Sequence, residues 1–249
     1  LIKHSLDVKS KFSPTEPLGI GLWLSATTAN ELAHAETCLQ FRDWLQEYDL
    51  VPYTLNGFPF GDFHQEVVKH DVYLPTWAQP ERLQYTSQLA NILNTLLPQG
   101  QNGTISTLPL GWPLPDGTPP SQISEFFKRC AANIQKCAEH LDRIAQAEGR
   151  DLFICIEPEP GCVLDTCEDV IQFFDEYLCN QGQTETNLIR SHFGVCHDIC
   201  HSAVMFETQT KAIKQYCEAD IRIGKVQVSS AVEVNFEQST PTQKLEKII

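Results

Sequence analysis

The sequence predicts an α/β chain built as a TIM (β/α)8 barrel, with the first and last strands of the barrel missing from the chain. Three observations predict it. Apolar, strand-like runs alternate with helix-periodic segments from Leu18 onward. Two of those runs, IEPEPG from Ile156 to Gly161 and FGVCHDICH from Phe193 to His201, end abruptly in carboxylates and imidazoles. The strands read as continuous apolar stretches, the pattern of a parallel sheet covered on both faces. Because every strand of a parallel barrel points the same way, side chains at their carboxyl ends converge on one mouth. An open doubly wound sheet shares this alternation and is the structural alternative.

Taken in order, the chain opens with what reads as the end of a helix, near Ile2 to Phe12. GIGLWLS then forms a strand, and Thr28 and Glu31 make a capping pair for a helix running to about Tyr48. VPYTLNGFPFG, Val51 to Gly61, is a strand ending in a Gly/Pro loop, followed by a helix from about Pro80 to Leu97. GTISTLPLG, Gly103 to Gly111, is the third strand, and beyond a proline-rich loop Ser121 reads as an N-cap. Ile123, Phe127, Cys130, Ile134, Cys137, Leu141 and Ile144 recur at three and four residues, one buried stripe of a long helix that Gly149 stops. LFICIEPEPG follows, then a helix that Thr166 and Asp169 cap, to about Leu178. FGVCHDICH is the fifth strand with its loop, Thr208 to about Cys217 a helix, and IRIGKVQVSS, Ile221 to Ser230, the sixth strand; Pro241 to Ile249 begins another helix. Six such units without a long linker predict one domain over residues 1–249, incomplete at both ends.

Composition narrows the function. The chain has 249 residues, with 18 Lys plus Arg against 32 Asp plus Glu and a formal charge of -14. That balance offers little attraction to phosphate backbones, so nucleic acid is not an expected partner. The uncharged stretch from Leu83 to Pro115 is broken by Gln, Asn, Thr, Gly and Pro and does not read as a membrane span. No signal peptide is visible and the chain opens at Leu1 without a methionine. Ten cysteines sit mostly inside apolar periodic segments, as reduced core thiols of a cytoplasmic protein would. Cys196, Cys200, His197 and His201 are therefore read as packing before a cysteine zinc site, since no second Cys pair has ligand spacing.

The candidate site lies at the strand ends. Glu157, flanked by Ile156 and Pro158, needs a cation or donors if it is ionised and buried, so it reads as a metal ligand or general base. Glu159 shares its face only if the strand survives Pro158 and Pro160. Asp198 and His201, three apart, allow the carboxylate to bind a divalent cation while the imidazole meets substrate or metal; the competing reading is a loop aspartate that caps the next turn. His197 alternates with Asp198 and should face the helical layer. HDICH also resembles the metalloprotease pattern HExxH, which demands a helix where FGVC argues for a strand. Lys225, Gln227 and Ser229 share one face of the sixth strand, and Asn56, His64 and Trp112 lie in loops that could shape a small polar pocket. GxG at Gly19 to Gly21 precedes its strand and is no dinucleotide fingerprint.

These residues resemble the xylose-isomerase-like sugar-phosphate isomerase/epimerase superfamily, whose barrels end one strand in an IEP-type glutamate and the next in DxxH. LNGFPFG, ISTLPLGW, IEPEPG, GVCHDICH and GKVQVSSA, in that order, resemble more closely its ebo-type metabolite-traffic branch. The resemblance implies a divalent metal (Mn, Zn, Co or Mg) held by Glu157 and Asp198, with Gln227 where catalytic relatives place a histidine and a fourth ligand beyond Ile249. It implies proton transfer through an enediol at Glu157 and His201, on a small polar metabolite, phosphorylated or not, contacted by Asn56, His64, Trp112, Glu159, His201, Lys225 and Ser229. The neutral Gln227 raises a second expectation, a non-catalytic metabolite-binding or traffic protein. An abasic-site endonuclease shares the superfamily fold, and the charge of -14 argues against it. The oligomeric state is not legible in the sequence.

Overall fold

The computed structural model describes residues 2–61 and 69–232. Six parallel strands form one sheet, β1 (Leu18–Trp23), β2 (Leu50–Asn56), β3 (Gly103–Thr107), β4 (Leu152–Ile156), β5 (Phe193–Asp198) and β6 (Ile223–Gln227), paired strictly in chain order. That order decides between the two architectures. A doubly wound sheet must reverse direction at a switch point, whereas here each crossover adds its strand on the same side, as barrel winding does.

The sheet is curled into an arc of a barrel. Lys225 Nζ on β6 donates to Ser106 Oγ on β3 at 3.1 Å, although three strand spacings in a flat sheet would hold those strands roughly 14 Å apart. Alternation assigns the faces. Phe153 and Cys155 of β4 and Cys196 and Asp198 of β5 point into the concave side. Leu152, Ile154 and Ile156 point out against the helices, and all but Asp198 of these are almost wholly buried. Gly194 exists for close approach: a Cβ there would sit 2.1 Å from the Arg222 carbonyl oxygen and 2.9 Å from the Phe153 ring. Arg222 lies over that ring at 4.3 Å and closes the floor of the concave face.

Helices alternate with the strands. They are α1 (Ile2–Phe12), α2 (Ala26–Leu32), α3 (Ala35–Glu47), α4 (Pro80–Leu96), α5 (Pro120–Glu148), α6 (Cys167–Phe173), α7 (Gln183–His192), α8 (Ile199–Val204) and α9 (Gln209–Glu218). The 29 residues of α5 bury Cys130, Ile134, Cys137, Leu141 and Ile144, and Gly149 ends the helix in the left-handed conformation at φ 63°. Ile123 and Phe127, earlier on the same stripe, are only partly covered.

Several elements differ from the sequence expectation. The helix expected over Thr28 to Tyr48 is two helices, broken at His34, and Ser25 caps the first by accepting from Thr28 N. Leu32 and Cys38 are six residues apart, about 120° round a continuous helix; the break lets both be buried. Ser121 is not the cap of α5, because Pro119 and Pro120 open it and place Ser121 in the first turn. Before β5 the structure adds α7, and a π-helical turn, Phe174–Leu178, extends α6. Chain after Asp198 is helix α8, not loop, and β6 is shorter than expected. The helix expected from Pro241 and the side chain of His64 lie outside the described residues. Among the described residues no helix is long and apolar enough to cross a membrane.

Candidate active site

Glu157 follows the last residue of β4, and its N–H donates to Thr107 O at 2.9 Å, which keeps the chain in register with β3. The next two elements bring the partners. Asp198 ends β5, Gln227 ends β6, and these two residues are paired across the parallel ladder. Gln227 Nε2 donates to Glu157 Oε1 at 2.6 Å and to Asp198 Oδ2 at 3.0 Å, so one amide joins both carboxylates.

Asp198 does two jobs. Its Oδ1 caps α8, accepting from Cys200 N at 2.9 Å and His201 N at 3.4 Å, and also accepts from Ser229 Oγ at 2.5 Å. Its Oδ2 faces Gln227. Burial opposes its ionisation, and the donors from Ser229 and Cys200, with the nearby His201, outweigh that and hold its carboxyl below the usual carboxylate range. Glu157 goes the other way. It is 6% exposed, Oε2 has no hydrogen-bond partner among the described residues, and burial pushes its carboxyl up against the opposing pull of His201 and Lys225.

His201, at the third position of α8, turns back to β4. Its Nδ1 lies 2.8 Å from Pro158 O; a carbonyl only accepts, so Nδ1 carries the proton and the other ring nitrogen is left for a ligand. Lys225 and Ser106 continue the polar face toward β2, where Asn56 Oδ1 accepts from Phe58 N at 3.0 Å and from Ser106 Oγ at 3.5 Å.

Other expected residues sit farther off. β4 ends at Ile156, so Glu159 does not share the face of Glu157; its N–H donates to Leu164 O and its carboxylate lies with Tyr73 and Cys162. Trp112 packs on Tyr73 with ring centroids 5.0 Å apart, forming a wall beside that carboxylate. His197 faces the helices as expected, with Nε2 2.5 Å from Gln209 Oε1 and its ring edge-on to Tyr216. His197 lies within β5 and His201 within α8, so the two histidines do not share one helix face and the HExxH geometry is ruled out.

Ser106 was not singled out from sequence, and Cys200 was read there as packing. Ser106 is wholly buried and bridges Asn56 to Lys225; its position two residues before a Leu-Pro strand end was the available signal. Cys200 lies with Asp198 and His201 so that one donor atom from each falls within 4.8 Å of the others. A cavity of about 350 Å³ lies elsewhere, between the proline-rich loop and the start of α5, lined by Leu114, Phe126, Phe127 and Val163. Asp116 is its single charged side chain, so it lacks the convergent titratable groups that chemistry needs. A hollow of about 10 Å³ between Pro158, Asp198 and His201 reaches toward His197, Glu207 and Tyr216, and Glu157, Lys225 and Gln227 are not among its lining residues.

No protein-family model and no curated protein matches the chain. Solved structures do. A D-tagatose 3-epimerase-like protein superposes with a TM-score of 0.58 at 14% identity, over 96% of this chain and 81% of that one. D-psicose 3-epimerase, solved in the presence of D-fructose, gives 0.55 at 14% identity over 87% and 67%. The fold is that of the xylose-isomerase-like TIM barrels. A xylose isomerase domain protein from Planctomyces limnophilus agrees, at 0.53 and 11% identity over 91% and 76%. In a TIM barrel the carboxyl ends of the strands form the functional face, and Glu157, Asp198 and Gln227 lie at that end.

Proposed function

We propose that the chain is a divalent-metal-dependent sugar or sugar-phosphate isomerase/epimerase-like protein. The observation that carries this reading is Glu157, a buried carboxylate with one unpartnered oxygen and a raised proton affinity. Such a group is a competent base toward a carbon-bound proton next to a sugar carbonyl. The C–H pair then moves toward the carbonyl oxygen to give an enediolate, and the Lys225 ammonium faces the charge that develops. His201, fixed by Pro158, presents its second ring nitrogen to a substrate hydroxyl and carries a proton between neighbouring oxygens.

The donor set fits a divalent cation. Glu157 and Asp198 supply carboxylate oxygens, one of them orphaned, and Gln227 supplies its amide oxygen once the amide turns over. A bound Mn, Zn, Co or Mg ion would polarise the carbonyl and stabilise the oxyanion. The substrate is a small polar metabolite, phosphorylated or not, with Asn56, Ser229 and the Tyr73–Trp112 wall around it. Ten unpaired thiols support a cytoplasmic setting.

The test is hydrogen exchange. Full chain incubated in deuterated water with ketoses, sugar phosphates and each cation should place deuterium on the carbon beside the carbonyl, and Glu157→Gln should abolish it. One observation favours a second reading: the Gln227 amide already bridges one oxygen of each carboxylate without a cation. A non-catalytic metabolite-binding protein, of the ebo-type traffic kind, would bind sugar without exchanging hydrogen.

A further inference from the structure

We propose that Cys200 is a ligand of the cation at this site, so that the site selects a thiophilic ion such as Zn²⁺ or Co²⁺ over Mg²⁺ and Mn²⁺. The inference rests on the metal reading above and makes it more specific.

Three features, two of them on α8 and one at the end of β4, support it. Asp198, Cys200 and His201 occupy the cap, second and third positions of one helical turn, which brings a donor atom of each within 4.8 Å of the others. Ligands of one tetrahedral ion, at 2.0–2.3 Å from it, are roughly 3.3–3.7 Å apart, so the donor atoms would have to draw together by no more than about 1.5 Å. The thiol is available, because Cys200 is partly exposed while seven of the ten cysteines are buried. It also stands against Asp198 and Ser229 rather than in an apolar socket.

The second feature is the orientation of His201. A ring held through Nδ1–H by a backbone carbonyl, here Pro158 O at 2.8 Å, is the usual arrangement of a metal-bound imidazole, since the carbonyl fixes the tautomer and aims the other nitrogen. Third, Glu157 Oε2 is buried and unpartnered at the adjoining strand end, and His201 is the strongest charged influence on it. A cation at this cluster would give that oxygen a counter-charge.

A Cys, His and carboxylate set is a borderline-soft set of donors. Mg²⁺ and Mn²⁺ prefer oxygen, whereas thiolate and imidazole favour Zn²⁺ and its spectroscopic substitute Co²⁺. On binding, the Cys200 S–H bond breaks, the sulfur pair goes to the metal and the proton to water.

Titrating the full chain with Co²⁺ and recording its absorption tests the assignment. Wild type should develop a thiolate-to-cobalt charge-transfer band in the near ultraviolet, saturating at one equivalent. Cys200→Ser should lack the band and bind Zn²⁺ weaker by at least the ~10–100-fold that loss of a supporting partner costs, with Mg²⁺ binding unchanged. A band that persists in Cys200→Ser overturns the proposal by assigning the sulfur to another cysteine. Cobalt bound to wild type without the band overturns it and leaves the metal reading intact. Failure of wild type to bind any divalent cation overturns both. Should the variant fold poorly, alkylation of wild-type Cys200 mapped by mass spectrometry decides: Zn²⁺ should slow it and Mg²⁺ should not, and equal rates count against the proposal.

Discussion

Glu157 and Asp198 are a few ångströms apart, joined by one amide, yet their proton affinities move in opposite directions. The cause is the number of donors each oxygen meets. Asp198 Oδ1 is offered two backbone N–H groups and a hydroxyl, whereas Glu157 has one amide contact and an orphan oxygen. Glu157 therefore destabilises the fold when ionised. Its folded proton affinity is raised, so its contribution is intact below the ordinary value of 4.5 and is lost as pH rises through the higher folded value. In metal-free protein, Glu157→Gln should stabilise the chain by about 1–2 kcal/mol at neutral pH. Urea melts across pH should show that gain shrinking toward acid; a variant less stable at pH 7 would mean that the burial cost is already compensated.

At the scale of elements, local rules worked where one residue decides an end. Thr166 and Asp169 do form a capping box on α6: Asp169 N donates to Thr166 Oγ1 at 3.3 Å, and Asp169 Oδ2 accepts from Thr166 N at 2.9 Å. Thr166→Ala should cost about 1 kcal/mol and lower the thermal midpoint by about 2–4 °C, while Thr166→Ser should restore it; an unchanged midpoint in the alanine variant would show that tertiary packing alone holds α6. Gly149 and the stripe of α5 were legible for the same reason, because spacing encodes a buried face directly. The break at His34 was not, since it serves the separate burial of Leu32 and Cys38 and no glycine or proline announces it. Nor was α7, whose polar run QTETN hides an apolar face of Leu188 and Ile189. Helix α8 was masked by its own function: a carboxylate and an imidazole at a strand end read as a loop site, and the aspartate turned out to cap a helix as well. Glu157, Asp198, His201, Lys225 and Gln227 were legible as polar residues of the strand ends, whereas Cys200 was read as packing, because the sequence did not show the helix that decides which face it takes.

Over the whole molecule, the alternation of strands and helices was enough to predict a parallel α/β architecture, and the chain-order pairing of all six strands then separated a barrel from a doubly wound sheet. What sequence could not supply was the depth of polarity inside the concave face. Thr54 and Thr104 are opposite each other and share a hydroxyl contact at 2.9 Å, and Asn56 and Ser106 are the next matched pair, with Lys225 reaching in from three strands away. Apolar strands such as LFICI could slide past a neighbour by two residues and still bury every side chain. The matched hydroxyls and amide make that slip costly, for it would strand polar atoms where no water reaches. Replacing Thr54 and Thr104 together by valine removes both hydroxyl partners at once and should therefore leave the unfolding free energy nearly unchanged but broaden the transition, lowering the denaturant dependence; an equally sharp transition would show that the apolar core alone sets the alignment. The polar lining of this barrel would then serve as an error check during assembly, admitting a single alignment of strands before any substrate arrives.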